Sequence, residues 1–554
     1  MDIHPSPPSP PRRSNWRGVA IAATCTAAML VNSSNNTSVA IALPTIGADL
    51  HARAAALQWL VSAYSLSSGC LLLFCGHLAD VHGRKRVFVI GSIILFAFTL
   101  ACGFVHDEVT LAVLRGFQGV GGAATIPAAL GILAHEFPPS SGRARAAAFA
   151  SFSAGGPIGA ALGMILGGLL TQLSKYTWRA QFYLSAGIAF ATLVLGIFAM
   201  EASPPQVLPA RPRDTRTDWP GAILSAAGLI LLVFVLGQGA GPGPHHHWYG
   251  PHIISILLLS ILLLALFATW EGILTRIGNT QFGRAIRDNC YMKSAANYTP
   301  PPLLPPSIFT RAGGRVGVVY GIALLQFAAF MIWAFWVQLY YQVYIGYSPV
   351  RTVVRLTPMF VTGIICNVVV ALIVRRVPTQ LILASGTLTT SIAPLLFALI
   401  RPSAPYWAFG FPAAVCSVVG VDFLFAAGML LVSDAVDPGE QSVAGGVFQT
   451  MTQLGTSFGV TASTILFNHI QGRAGFFQKD ALASYQAVMW MGAGFGGLGS
   501  CLLFSMSSFG PSSSLLLITA TLIAIVALRG VGTIGKQGPR DGAPEKPADT
   551  NAAP

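Results

Sequence analysis

Residues 76–86 read Gly76-His77-Leu78-Ala79-Asp80-Val81-His82-Gly83-Arg84-Lys85-Arg86 and lie between two apolar runs, 58–78 and 87–104. An acid near the end of one run, then a glycine, then three consecutive cations make a charged tip between two apolar arms. Glycine takes the backbone angles of a tight turn at low cost. Asp80 is placed to pair with a nearby arginine or with the positive end of a helix. Each arm is about the length that a helix needs to cross the hydrocarbon of a bilayer. The expectation is a loop joining two membrane spans, with Asp80 and Arg84 as parts of a latch that a proton can release and Gly83 as the turn that lets two bundles approach.

The same alternation recurs along the chain. Further apolar runs fall at 19–43, 109–134, 146–170, 180–200, 219–239, 252–273, 316–342, 354–374, 380–400, 406–432 and 443–467, and a last hydrophobic region at 484–529. Of the 554 residues 53% are hydrophobic and 9% charged, against about 25% charged in a soluble protein; mean hydropathy is +0.65. This excludes a soluble globular enzyme and leaves an all-α polytopic membrane protein, because lipid offers no partner to bare backbone groups. A net charge of +13 in a soluble chain would raise the question of nucleic acid. Here the charges follow topology, and no nucleic-acid partner is expected. With the N-terminus in the cytosol, 23 of the 32 Lys and Arg residues fall on the cytosolic side, 8 outside, and Arg115 within a span. That bias orients the chain. Region 484–529 is interrupted by Phe509-Gly510-Pro511-Ser512-Ser513-Ser514. A second crossing there would put Arg529, Lys536, Arg540 and Lys546 outside, so one crossing with an irregular insertion is expected, for about fourteen spans.

Three further patterns carry chemistry. Arg115 opens the fourth span in Arg115-Gly116-Phe117-Gln118-Gly119; at about 2.5 to 3.5 kcal/mol for a cation at a span centre, it should face protein or water and can bias a nearby protonation. In the fifth span Gly155, Gly156, Pro157 and Gly159, followed by Gly163 and Gly167, put small residues four apart, the spacing that lets helices pack closely. Asp422 is the carboxylate that the span map puts near mid-membrane, about 15 Å deep at about 1.5 Å per residue. Such an acid holds a proton until water or a cation arrives, so it is the candidate coupling group.

These motifs resemble those of the major facilitator superfamily: the 76–86 loop matches its G-x-L-a-D-r-x-G-r-k signature, Arg115 to Gly119 its R-x-x-q-G, and Gly155-Gly156-Pro157-Ile158-Gly159 the glycine signature of its antiporter branch. Ala42 to Gly47, Trp59, Tyr64, Trp178-Arg179 and Asp218-Trp219-Pro220-Gly221 look like the fourteen-span drug:proton antiporter family. Phe335 to Gln342, with Ser348-Pro349 and Leu356-Thr357-Pro358, looks like a fungal branch related to aminotriazole-resistance and boron-export proteins. The resemblance implies a cytosolic tail at 1–16, a six-span bundle at 17–200, two central spans with a cytosolic loop at 201–315, a second bundle at 316–529 and a tail at 530–554. It implies a monomer in the plasma membrane, with the vacuolar membrane second, that exports small toxic solutes by rocking the bundles around a midplane site. Its energy would come from the proton gradient, with no cofactor and no enzymatic activity.

The chain departs from that pattern in the first span, where the family has an acid two residues before a threonine and this chain has Asn35 before Thr37. The tract Asn32-Ser33-Ser34-Asn35-Asn36-Thr37-Ser38 points in every direction at about 100° per residue, so part of it lines a wet cavity or neighbouring helices. The candidate substrate cavity comprises Asn35, Thr37, Gln118, Trp336, Gln338, Gln449 and Gln453, amides and aromatics suited to a weakly polar solute. His245-His246-His247 reads as a solvated loop, since adjacent histidines cannot all face one ion; no metal site is expected. The loop 275–306 reads as polar and flexible. Two other readings stay open: an uncoupled facilitator, which the missing acid in the first span favours, and a transporter-like sensor.

Overall fold

In the hydrocarbon of a bilayer every backbone N–H and C=O must be satisfied within its own segment, and the chain meets that demand with long helices. The computed structural model describes residues 15–51, 54–200, 217–239, 251–279, 302–347, 349–374, 376–437, 440–474 and 481–504. Among them lie fourteen long α-helices and no strand. They are α1 (Asn15–Asp49), α2 (Ala54–His82), α3 (Arg84–Cys102), α4 (Glu108–Glu136), α5 (Arg143–Leu173), α6 (Arg179–Ala199), α7 (Trp219–Gly239), α8 (Pro251–Asn279), α9 (Arg315–Leu339), α10 (Pro349–Ile373), α11 (Thr379–Ala398), α12 (Tyr406–Ala435), α13 (Gln441–Ala474) and α14 (Ala481–Phe504). Eleven apolar segments, each built on one of these helices, are long enough to cross a membrane. The remaining three helices are α1, with its tract 32–38, α13, with Gln441, Gln449 and Gln453, and the glycine-rich α14. α1 and α13 supply polar side chains to the interior.

The first six helices pack on one another, α1 along α5, α2 on α4, and α3 on α4 and α6. The last six do likewise, α9 on α13 and α14, α11 on α12 and α14, and α10 on α12. The two sets meet along α2 with α13 and α5 with α10, while α7 pairs with α8 and touches α2 and α13. α4 is the most enclosed helix; α8 turns Leu258, Ile261 and Leu262 outward, as a lipid-facing helix must.

Several boundaries differ from the sequence reading. α1 begins at Asn15, inside the stretch read as a tail. α14 is an unbroken helix from Ala481 to Phe504, and the rest of the region 484–529, with the expected insertion at 509–514, lies outside the described residues. α12 runs to Ala435, so Asp422 lies about 20 Å from its cytosolic end at about 1.5 Å per residue, nearer the middle than expected. The loop read as flexible from 275 is helical to Asn279, and its far end is fixed: Leu303 is fully buried and its N–H donates to Glu271 Oε1 at 3.1 Å. Arg12, Arg13, Arg211, Arg213, Arg216, His245 to His247, Cys290, Ser348 and the tail 530–554 lie outside the described residues.

Candidate functional site

The loop 76–86 closes one end of the seam between the two helix sets. Asp80 Oδ1 accepts from Arg84 Nε and Nη2 at 3.0 and 2.9 Å. Its Oδ2 accepts from the backbone N–H groups of Ser442 and Val443 at 2.9 and 3.0 Å, the free donors that open α13. One carboxylate therefore holds a cation of its own half and the helix N-terminus of the other. Arg84 adds a bond to Gly131 O at 2.8 Å. Gly83 has φ +103°, the left-handed region where glycine is at home. The close approach of the halves falls to Gly76, not to Gly83 as the sequence suggested: a Cβ at Gly76 would stand 2.7 Å from Ser442 O.

One more ion pair spans the halves at this end, and Arg311 makes two beside it that do not span them. Arg145 on α5 reaches Asp434 on α12 at 2.6 Å and Ser433 Oγ at 2.9 Å. Arg311, before α9, reaches Asp437 at 2.9 Å and Glu440 at 2.6 Å. Burial pushes Glu440 above the ordinary glutamate range, against the pull of Arg311.

Deeper along the seam stands Asp422. It is 5% exposed and its Oδ2 meets no hydrogen-bond donor. Gly363 on α10 fits between it and α5: a Cβ there would meet Asp422 Oδ2 and Pro157 Cβ, each at 3.0 Å. Thus the acid of one half faces, across a glycine's width, the proline of the small-residue motif of the other. Asn367, one turn beyond Gly363, lies beside Asp422. Its Nδ2 donates to Gly363 O at 2.8 Å, and its Oδ1 is buried without a partner.

A small polar slot opens between the halves against α7. It holds about 50 Å³ and is lined by Asn36, Ser65, Thr450, Gln453, Thr456 and Ser457. It has room for a few waters and none for a drug-sized solute.

The expected cavity residues divide. Gln453 lines the slot, and Gln449, 9% exposed, keeps an unpartnered Oε1. Gln338 is half-buried at the end of α9. Gln118 is fully buried inside the first half, accepting from Arg115 at 2.7 Å and donating to Thr99 at 2.7 Å; its amide is spent on Arg115 and cannot reach a solute. Trp336 is likewise inside the second half, its Nε1 donating to Ser463 at 2.8 Å and its ring stacked on Phe467. Thr37 bonds Ser33 O and Ala160 O, tying α1 to α5. Asn35 is 1% exposed, and its carbonyl accepts from Arg115. The residue of the tract that reaches the slot is Asn36; Asn32 and Asn36 accept from Tyr64 and Ser65 of α2. The packing decides this: Gly159, Gly163 and Gly167 of α5 stand against Leu30, Ser34 and Ser38, so 32 and 36, four apart on the other side, are left to face α2. Arg115 lies in the first half, bonded to Leu60 O and Asn35 O and stacked over Tyr64, while Asp422 lies in the second.

The sequence profile of the Major Facilitator Superfamily matches residues 25–460, most of the chain. The chain belongs to the major facilitator superfamily. Among facilitator relatives, the puromycin resistance protein pur8 of Streptomyces alboniger is 29% identical, over 81% of this chain and 81% of its own length. The low affinity ammonium transporter of Saccharomyces cerevisiae is 26% identical over 88% of each. A solved proton:xylose symporter, XylE, superposes with a TM-score of 0.58 at 12% identity, covering 89% of this chain and 96% of its own; at that identity the likeness shows the facilitator fold alone.

The central pair of this facilitator holds two buried acids that the span map passed over. Asp218 caps α7, accepting from Gly221 N–H at 3.0 Å as an N-cap does, and also from Trp270 Nε1 at 3.0 Å. Glu271 on α8 is 2% exposed and binds the docked end of the loop. Asp218 precedes its apolar run and Glu271 stands two residues inside the end of the run 252–273, so neither reads as a mid-membrane charge.

Proposed function

We propose that this facilitator exports small toxic solutes by alternating access, driven by proton entry, and that Asp422 carries the proton. The observation that carries the reading is the pair of unpartnered buried atoms at the seam, Asp422 Oδ2 and Asn367 Oδ1. A carboxylate supplies only acceptors, and a protonated acid supplies one donor. A proton on Asp422 gives the Asn367 carbonyl the donor it lacks and removes a buried charge beside Pro157 of the other half. Loss of that proton leaves a charge that must draw in water or a cation, which favours parting the seam. Protonation at Asp422 is thereby coupled to the contact between halves.

The closed latch at 76–86 and the water-sized slot fit a state sealed toward the cytosol. In this reading residues 17–200 and 316–529 move as two bodies, with 201–315 between them. The fourteen long helices fit the fourteen-span drug:proton antiporter family, and the segment 335–342 fits its fungal branch. The cargo class is small amphipathic drugs, and we place the protein as a monomer in the plasma membrane. Purified protein in liposomes, given an inward-directed proton gradient, should move a hypersensitivity-selected drug outward; Asp422→Asn should abolish the gradient's effect.

A second reading, an uncoupled facilitator of a small polar solute, draws on Asn35 at the place of the usual acid and on the likeness to a low affinity ammonium transporter. Transport unchanged by a protonophore would select it.

A further inference from the structure

At the end of the second half opposite the latch, a cavity of about 270 Å³ lies among the end of α9 and the starts of α10 and α12. Its walls include Tyr340, Tyr341, Tyr347, Arg355, Arg401 and Tyr406, and among the described residues no Asp or Glu lines it. The Arg355 guanidinium carbon stands 4.3 Å from the Tyr406 ring centre and 5.7 Å from that of Tyr347. Tyr406 Oη donates to the Arg355 carbonyl at 2.6 Å, which ties the ring to the arginine it covers. Stacking occupies the faces of the guanidinium and leaves its in-plane N–H groups free; among the described residues no acceptor meets them. The half-buried guanidinium thus presents to the cavity a rigid fork of donors, the geometry that holds a carboxylate by two parallel bonds.

The charge pattern sharpens the point. No Asp or Glu occurs between Asp288 and Asp422, so the stretch of chain that brings the cations Arg351, Arg355 and Arg401 to this end carries no acid there. They also run against the bias that places basic residues in the cytosol.

We infer that this cavity is an external binding site for a small aromatic carboxylate, the carboxylate on the Arg355 fork and the ring against the tyrosines. The volume suits one ring, below the usual range for drug-sized ligands of about 300 to 1,000 Å³. The site lies within one half, apart from the seam, and the inference stands whether or not Asp422 carries a proton.

The test uses full-length protein in neutral phosphatidylcholine nanodiscs, with benzoate as probe and benzamide as its uncharged match. Benzoate should bind, benzamide should not, and Arg355→Gln should weaken benzoate by about tenfold or more, the loss of one charge-assisted pair. In the unaltered protein benzoate should slow phenylglyoxal modification of Arg355, read by peptide mass spectrometry, a measurement that needs no variant. Equal benzoate binding by Arg355→Gln, equal modification with and without benzoate, or no binding by the unaltered protein overturns the site. So does protection of Arg355 that benzoate cannot displace in a parallel set of nanodiscs containing phosphatidylglycerol, which would make the occupant a lipid headgroup.

Discussion

Asp80 joins the halves through one carboxylate, so its charge and its shape can be tested apart. Hydrogen bonds to a charged group contribute about 1.5 to 3 kcal/mol each, and Asp80→Asn keeps the shape while weakening all of them. Spin labels at His82 and Arg376, one on each half near the latch, should report a wider distance distribution in Asp80→Asn than in the parent. An unchanged distribution would show that the Arg145 ion pair holds the end closed without it. Gly76→Leu tests the shape: its side chain must enter space held by the Ser442 carbonyl, 2.7 Å from a Cβ. Transport should fall at least about tenfold, the effect of about 1.4 kcal/mol, at normal expression; parental flux would mean that the halves need not meet there. Much of this was legible in the sequence, since Asp80, Gly83 and Arg84 stand together in one loop. The partner N–H groups of Ser442 and Val443 were not, because backbone donors carry no residue signature.

Among the elements, α5 shows why a small-residue motif need not be a binding motif. A Cβ at Gly159 would lie 2.3 Å from Leu30 O, while one at Gly168 would meet only Ile41 Cγ2 at 3.9 Å. Gly159→Ala should therefore lower the thermal unfolding temperature in detergent and Gly168→Ala should not, with overpacking costing about 1 to 3 kcal/mol. Equal melting of the two variants would mean that α1 yields to α5. The helices themselves were readable from apolar run length. Which side of α1 faces water was not, because a tract of seven polar residues has no periodicity and only the partner helix breaks the tie. Gln118 and Trp336 went astray for the same reason: an amide or indole in a span looks alike whether it serves a solute or a neighbour. Asn367 escaped notice as one amide in an apolar run, and its meaning comes only from the acid on the adjacent helix.

At the scale of the molecule, two sets of six helices are latched at one end by Asp80 and Arg145, with Asp422 facing Pro157 in the depth of the seam. Charge bias and motif order made the architecture legible; the pairing of Asp422 with Asn367 and the other half needed three dimensions. The central claim is that protonation of Asp422 drives the halves. Proteoliposomes containing the parent protein or Asp422→Asn, loaded with the same drug and given a stepped pH difference, measure this directly. The account predicts that flux in the parent rises with the inward proton gradient and that flux in Asp422→Asn is flat across it. A gradient response in Asp422→Asn equal to the parent's would contradict the claim.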